Sequence, residues 1–449
     1  MKNMVHILLL TLIAFHPNQS AAVSINEEGY GQALIFPFFS AAEGNSSLIT
    51  IANDGPVEQS LFDLAAHSAI KVRLLGSVDG AEFASFNVYL GRHDTWVAAI
   101  YKSEGETIVS TPDASCVFPA PDGEFLSAIS EEIGSIEVIQ MGSASNQDLA
   151  DEINDNDCAG IEARWTDGPW SENPAADLDP PAGSLRGSLT LIHVEKGTAY
   201  SVSALALAEF SDIVHHTNVG AEFPNLSSAH DEGTDTSLGT TSTVCTGGEC
   251  IDDYWPDPLD AVAAALTVRE LRGTFVVDDA LAAESEWIIS YPTRRYSNVS
   301  PSPNYWVGLL LQDREGDGAM RQPCVPGPPP NICDSSYVLG HQSAIEVVSF
   351  GRDIEDVNQP AISAILGMPF VVDFPRDNQA PVPPSGIARL GFEGALTSDS
   401  GKAYQGAPVL GFELQEYTNA FLETEAGNSQ RANYGTAIPL SKIVVVEDL

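Results

Sequence analysis

Aspartates crowd two short stretches of this chain in a pattern that could hold a hard cation. Asp151, Glu152, Asp155 and Asp157 alternate with Asn154 and Asn156 in the first, and Asp313-Arg314-Glu315-Gly316-Asp317-Gly318 sets carboxylates around glycines in the second. Calcium takes six to eight oxygen ligands at such loops. Asp151, Asp155, Asp157, Asp313 and Asp317 are therefore the calcium candidates. Neither stretch has the EF-hand spacing, and solvated acidic turns are the plainer reading. A second polar region gathers His215, His216, His230, Cys245 and Cys250. Zinc needs four well-placed ligands, or three with water. In an oxidising compartment exposed histidines beside a small disulfide explain the same residues. Arg294-Arg295 stands out among only 20 basic residues. It could meet an acidic ligand, but ion pairs with nearby carboxylates are the simpler expectation.

Catalytic motifs are missing from the sequence. It has no Gly-x-Ser-x-Gly elbow and no His-Glu-x-x-His helix. Gly29-Tyr30-Gly31 lacks a third glycine and precedes a strand, so it is no dinucleotide loop. A glycosidase pair of carboxylates cannot be singled out among 62 acidic residues. The reading is that the chain is not an enzyme and needs no cofactor, calcium being the one candidate ion.

The elements that must carry these residues are short strands. Five apolar runs lie within residues 31–101, at 33–39, 48–53, 70–75, 86–90 and 96–101, separated by Gly, Asn, Asp or Pro. Alternation over strand-length runs predicts an antiparallel β-sandwich. Pro37 predicts an edge or a bulge, and Trp96 a place in the core. Residues 143–184 read as an acidic, proline-rich excursion, and 216–257 as a polar linker. Strand candidates resume at 259–268, 273–277, 287–291 and 305–311, then at intervals to 443–446, although the alanines of 260–266 favour helix. The fold class is thus mostly β: two antiparallel, Ig-like β-sandwich domains in tandem with long loops, at 23–215 and 258–449.

Met1-Lys2-Asn3, an apolar run from Val5 to Phe15 and Ser20-Ala21-Ala22 read as a signal peptide, residues 1–22, cut after Ala22. Residues 5–15 are too few to span a bilayer, and no later run is long enough. Export gives the six cysteines a meaning. Sequence order suggests the pairs Cys116–Cys158, Cys245–Cys250 and Cys324–Cys333, although six cysteines allow about 15 connectivities. The net charge of −42 repels phosphate backbones and anionic membranes, so nucleic acid is not a partner.

Several runs resemble an uncharacterised family of exported Gram-negative bacterial proteins often labelled "cell surface protein". They are Gly31-Gln32-Ala33-Leu34-Ile35-Phe36-Pro37-Phe38-Phe39, Lys71-Val72-Arg73-Leu74-Leu75, Phe86-Asn87-Val88-Tyr89-Leu90, Asp94-Thr95-Trp96 and Ile136-Glu137-Val138-Ile139-Gln140-Met141-Gly142. Asp260-Ala261-Val262 and the run from Trp287 to Arg295 are similar too, while the connection at 56–69 is longer than the family's turn. The resemblance implies export and architecture and brings no activity. The expectation is an exported structural or adhesive protein at the cell surface, outside the cell or in the periplasm, with a surface polymer or protein as partner. A calcium-dependent binding module for glycans or another surface polymer is the alternative, and a secreted hydrolase the third.

Overall fold

The computed structural model describes residues 22–55, 64–231, 239–278, 280–296, 305–313, 315–316, 318–321, 324–325, 332–333, 338–339, 343–350, 362–368, 371–374, 382–423 and 429–448. The chain is mostly β, as the alternation predicts. In the first half a ten-stranded sheet runs in the order Glu249–Trp255, Thr240–Thr246, Ala22–Ile25, Leu205–Ala208, Ala33–Ser40, Ile133–Ala144, Ser68–Gly76, Glu82–Leu90, Cys116–Phe118, with Leu178–Asp179 paired to Ile133–Ala144. A six-stranded sheet faces it, in the order Thr198–Ser203, Leu185–His193, Asn45–Asn53, Asp94–Ser103, Glu106–Ser110, Phe125–Ile129. All five strands expected within residues 31–101 are present.

Alternation sends Trp96, Ala98 and Ile100 inward against Ile70, Val72, Leu74, Phe86 and Val88. Burying one such aliphatic or aromatic side chain contributes roughly 1.5–3 kcal/mol. Pro37 lies where the register of Ala33–Ser40 against Ile133–Ala144 shifts, the bulge its missing N–H requires.

The second half has its own sheet pair. Gly318–Arg321, Tyr305–Asp313, Ser385–Glu393, Glu270–Val276 and Ser441–Ile443 form one sheet in that order. Opposite it, Ile345–Phe350, Ala283–Ser290, Leu410–Glu423 and Ser429–Pro439 lie side by side in the other. Trp287, Phe275, Phe350 and Leu390 fill the core between them. The halves are not beads on a string. Ile288, Val347, Leu410, Phe412 and Leu414 belong to the same continuous apolar cluster as Phe36, Phe38 and Leu189.

Two segments differ from expectation. Residues 240–255, within the polar stretch that reads as a linker, are built into the first half. Thr240–Thr246 and Glu249–Trp255 form a hairpin that joins the ten-stranded sheet beside Ala22–Ile25. Its Thr240, Ser242 and Val244 alternate inward, so a strand with little apolar content was hidden in a polar composition. Pro258–Leu266 is a helix, not the start of a strand: Asp257 caps it and Pro258 takes its first turn. The excursion at 143–184 contains two helices, Gln147–Asn154 and Cys158–Thr166, and packs over the sheet's second face. No helix among the described residues is long and apolar enough to cross a membrane.

Candidate functional site

Strand Ser68–Gly76 is buried along its whole length. Ile70, Val72 and Leu74 enter the core, so Lys71 and Arg73 must point to the other face of the ten-stranded sheet. Register puts Asn87 opposite Lys71, and Ser85 and Glu137 on either side of Arg73. This charged row lies under a strap formed by residues 217–224.

Lys71 Nζ donates to the carbonyls of Ala221 (2.6 Å), Asn218 (3.1 Å) and Phe223 (3.1 Å) and reaches Thr217 Oγ1 at 3.4 Å. Asn87 Nδ2 donates to Thr217 O (2.7 Å) and Ser85 Oγ to Val219 O (3.0 Å). Burial pulls the Lys71 ammonium down to about 8, partly offset by Glu82. Arg73 donates to Glu82, to Glu137 Oε2 (3.4 Å), to Pro224 O (3.3 Å) and to Tyr296 Oη (3.2 Å). Tyr296 comes from the second half and donates to Glu137 at 2.9 Å. Burial pushes the Glu137 carboxyl up against the opposing pull of Arg73. Burial also works against the Arg73 charge, but Glu137, Tyr296 and Glu82 outweigh it and hold the guanidinium above its ordinary range. These contacts bind sheet, strap and second half together.

The three histidines have separate partners. His216 is sandwiched among Tyr89, Trp165 and Trp170, with ring centroids 5.9, 4.7 and 4.4 Å away. Its Nδ1 lies 2.7 Å from Pro174 O and its Nε2 2.9 Å from Tyr89 Oη. A carbonyl only accepts, so Nδ1 carries the proton and Nε2 accepts from the tyrosine. Burial takes His216 down to about 4. His215 Nε2 lies 2.7 Å from Ser211 Oγ, and burial takes it to about 4 as well. A hydroxyl on an imidazole is the start of a nucleophile–base pair. Yet Ser211 is 2% exposed, and its oxygen accepts the Ile213 N–H at 3.2 Å, which makes it a turn-forming serine. His230 Nδ1 pairs with Asp212 at 2.7 Å. Cys245 and Cys250 are bonded to each other across the hairpin, and Cys116 to Cys158.

The acidic run at 151–157 is a helix end, a turn and a helix start. Asp151 accepts from Gln147 (2.7 Å), Asp155 is the C-terminal cap of one helix, and Asp157 caps the next through the Gly160 N–H at 3.0 Å. Glu152 and Asp177 hold Arg164, which lies over the Trp170 ring. Asp313 forms a turn by accepting the Glu315 N–H at 3.1 Å. Asp317 lies outside the described residues. Among the described residues no three metal-ligating side chains converge.

Arg295 approaches Glu82 at 3.7 Å and Arg294 donates to Ser343 O at 3.0 Å, so at least Arg295 meets a carboxylate as expected. Cys324 and Cys333 stand opposite each other on paired backbones, and their thiols lie outside the described residues.

Sequence reasoning passed over Lys71, Arg73, Glu137 and Tyr296. The available signal was two cations alternating with Val72 and Leu74 in a strand of a strongly acidic chain. No family model, no curated protein and no solved structure matches this chain.

Proposed function

We propose that this chain is an exported structural or adhesive protein that acts through its surface and catalyses nothing. The observation that carries the reading is the placement of its reactive groups. Among the described residues Lys71, Arg73, Glu137 and His216 are buried and committed to holding neighbouring segments, and Ser211 is buried within its own turn. Two disulfides support delivery to an oxidising compartment. The excess of 62 acidic over 20 basic residues supports a well-solvated, self-repelling exterior. The mostly β fold of paired sheets fits the same reading.

The test is localisation with chemistry attached. The full chain, expressed with residues 1–22 in a Gram-negative host, should leave the cytoplasm, lose that segment and carry oxidised cysteines. Purified protein should not turn over ester, glycoside, peptide or phosphoester substrates. Retention in the cytoplasm with reduced thiols would overturn export. Turnover that disappears in Ser211→Ala would overturn the absence of catalysis.

A further inference from the structure

The strand Ala22–Ile25 lies inside the ten-stranded sheet, not at its margin. Leu205–Ala208 runs antiparallel on one side, with Ser24 opposite Ala208 and Ile25 opposite Leu207. Thr240–Thr246 runs parallel on the other, with Ala22 opposite Thr241 and Val23 opposite Ser242. Val23 is fully buried in the apolar cluster that both halves share. Beyond Thr240–Thr246 comes its hairpin partner, Glu249–Trp255, at the margin. A strand of four residues is therefore the hydrogen-bonded seam between that hairpin and the rest of the sheet.

The connection to the next strand, Ala33–Ser40, has the form of a hinge. Leu205–Ala208 separates the two strands, so residues 26–32 must cross over it. The Asn26 N–H donates to Ala206 O (3.0 Å) from one side, and the Gln32 N–H to Leu207 O (2.9 Å) from the other. Between them Gly29 turns at φ +83°, and Gly31 presses on the Leu207 backbone, where a Cβ would stand 2.5 Å from the carbonyl oxygen. Straightened, residues 26–32 would carry the strand roughly 20 Å away.

Take Ala22–Ile25 out and the sheet has a slot. Two strand edges with unpaired N–H and C=O groups would face each other across it, with an apolar position waiting at Val23. Such edges recruit strands. The strand that fits has this register and this alternation, and every copy of the chain carries it. The walls of the slot are residues 205–208 and 240–246, so in a chain made from its N-terminus the strand exists long before the slot does.

We propose that copies of this chain exchange Ala22–Ile25: the strand of one fills the slot of another and joins the two through the ten-stranded sheet. Exchanging an identical element keeps the contacts of the single chain, which makes it a low-cost route to assembly. Reciprocal exchange closes a dimer, and one-way exchange extends a fibre. The cut expected after Ala22 frees the strand's leading end. The exchange names a partner for the structural role proposed above and rests on that reading.

The test pairs single cysteines across the ladder. Ser24 and Ala208 stand opposite each other and are partly exposed. Ser24→Cys and Ala208→Cys, in separate and differently tagged full chains, are refolded together from urea at mildly acidic pH and then oxidised. A non-reducing gel should show a covalent heterodimer. A tethered strand has an effective concentration of about 1 mM, so roughly a tenth of the chains should be joined at about 0.1 mM and about a hundredth at about 0.01 mM. Ser24→Cys refolded with Thr190→Cys, a partly exposed position on the facing sheet, should give none. Both cysteines of the first pair in one chain should close within it, and failure to close would overturn the slot. Deleting Glu27 and Glu28 shortens the hinge and should raise the joined fraction several-fold, whereas a merely structural turn would only lower the yield of folded protein. Absence of the heterodimer, a Thr190 control that matches Ala208, or a fraction that the deletion leaves unchanged would each overturn the exchange. The cross-link is scored in purified protein, so its failure would leave export and the absence of catalysis as they stand.

Discussion

Arg73 shows what a buried charge costs when its partners are taken away. Its side chain is fully covered, and Glu137 opposite it is nearly so. Removing one member of such a pair leaves the other unpaired in an apolar setting, which typically costs about 3–5 kcal/mol. Arg73→Met should destabilise the protein by that order in urea titrations. The double variant Arg73→Met, Glu137→Leu should recover much of the loss, because neither charge is then stranded.

His216 gives a pH signature at the same scale. Its folded value, about 4, lies below the ordinary 6.5. The unfolded chain then takes up more protons between these values. The stability is present above about 6.5 and is lost as pH falls toward 4. His216→Gln should flatten that acid limb in denaturant titrations at stepped pH. An unchanged limb would show that other groups govern it. His216 could be noticed in the sequence but not placed. Its burial depends on Trp165, Trp170 and Pro174, brought over the sheet by a disulfide-tied pair of helices.

At the scale of elements, the disulfides differ by the length of chain they close. Cys116–Cys158 spans 42 positions and Cys245–Cys250 five. Chain entropy assigns about 4 kcal/mol to the first and about 2 to the second. Paired Cys→Ser variants compared by chemical denaturation should preserve that order. Equal losses would mean that the helices 147–166 stay docked without their tether.

Period-two strands such as Asp94–Ser103 were legible because one face meets the core and the other meets water. Ser68–Gly76 was legible as a strand and illegible as a site. Nothing near Lys71 says that residues 217–224 will cover it, since the cover lies 146 to 152 positions away. The hairpin of Thr240–Thr246 and Glu249–Trp255 was missed for a related reason. Thr and Ser face inward there because helix Pro258–Leu266 and Tyr404 supply the apolar surface around them.

At the scale of the molecule, one apolar cluster runs through both halves, so they should unfold together. Calorimetry should give a single transition, and two resolved transitions would show the halves to be independent. The charge of −42 makes the whole stability sensitive to salt. Calcium and magnesium at constant ionic strength should raise the melting temperature equally, as screening does. A calcium-specific rise abolished by Asp155→Ala with Asp157→Ala would instead establish a bound ion.

Strand Ser429–Pro439 is the last in its sheet and lies against Thr198–Ser203, the last in another. The fit requires glycine at 435, where a Cβ would stand 2.8 Å from the Tyr200 ring, and Asn433 donates to Lys196 O. A chain delivered N-terminus first, from a ribosome or through a translocation pore, brings Tyr200 out more than 200 residues before its cover. Until then the first half waits with an uncapped margin and an unfinished core, the state in which strands from different chains find one another. Correct maturation thus depends on the arrival of the C-terminal tenth of the sequence. A nascent chain halted before residue 410 should be held by chaperones or lost to proteases, however complete its first half looks.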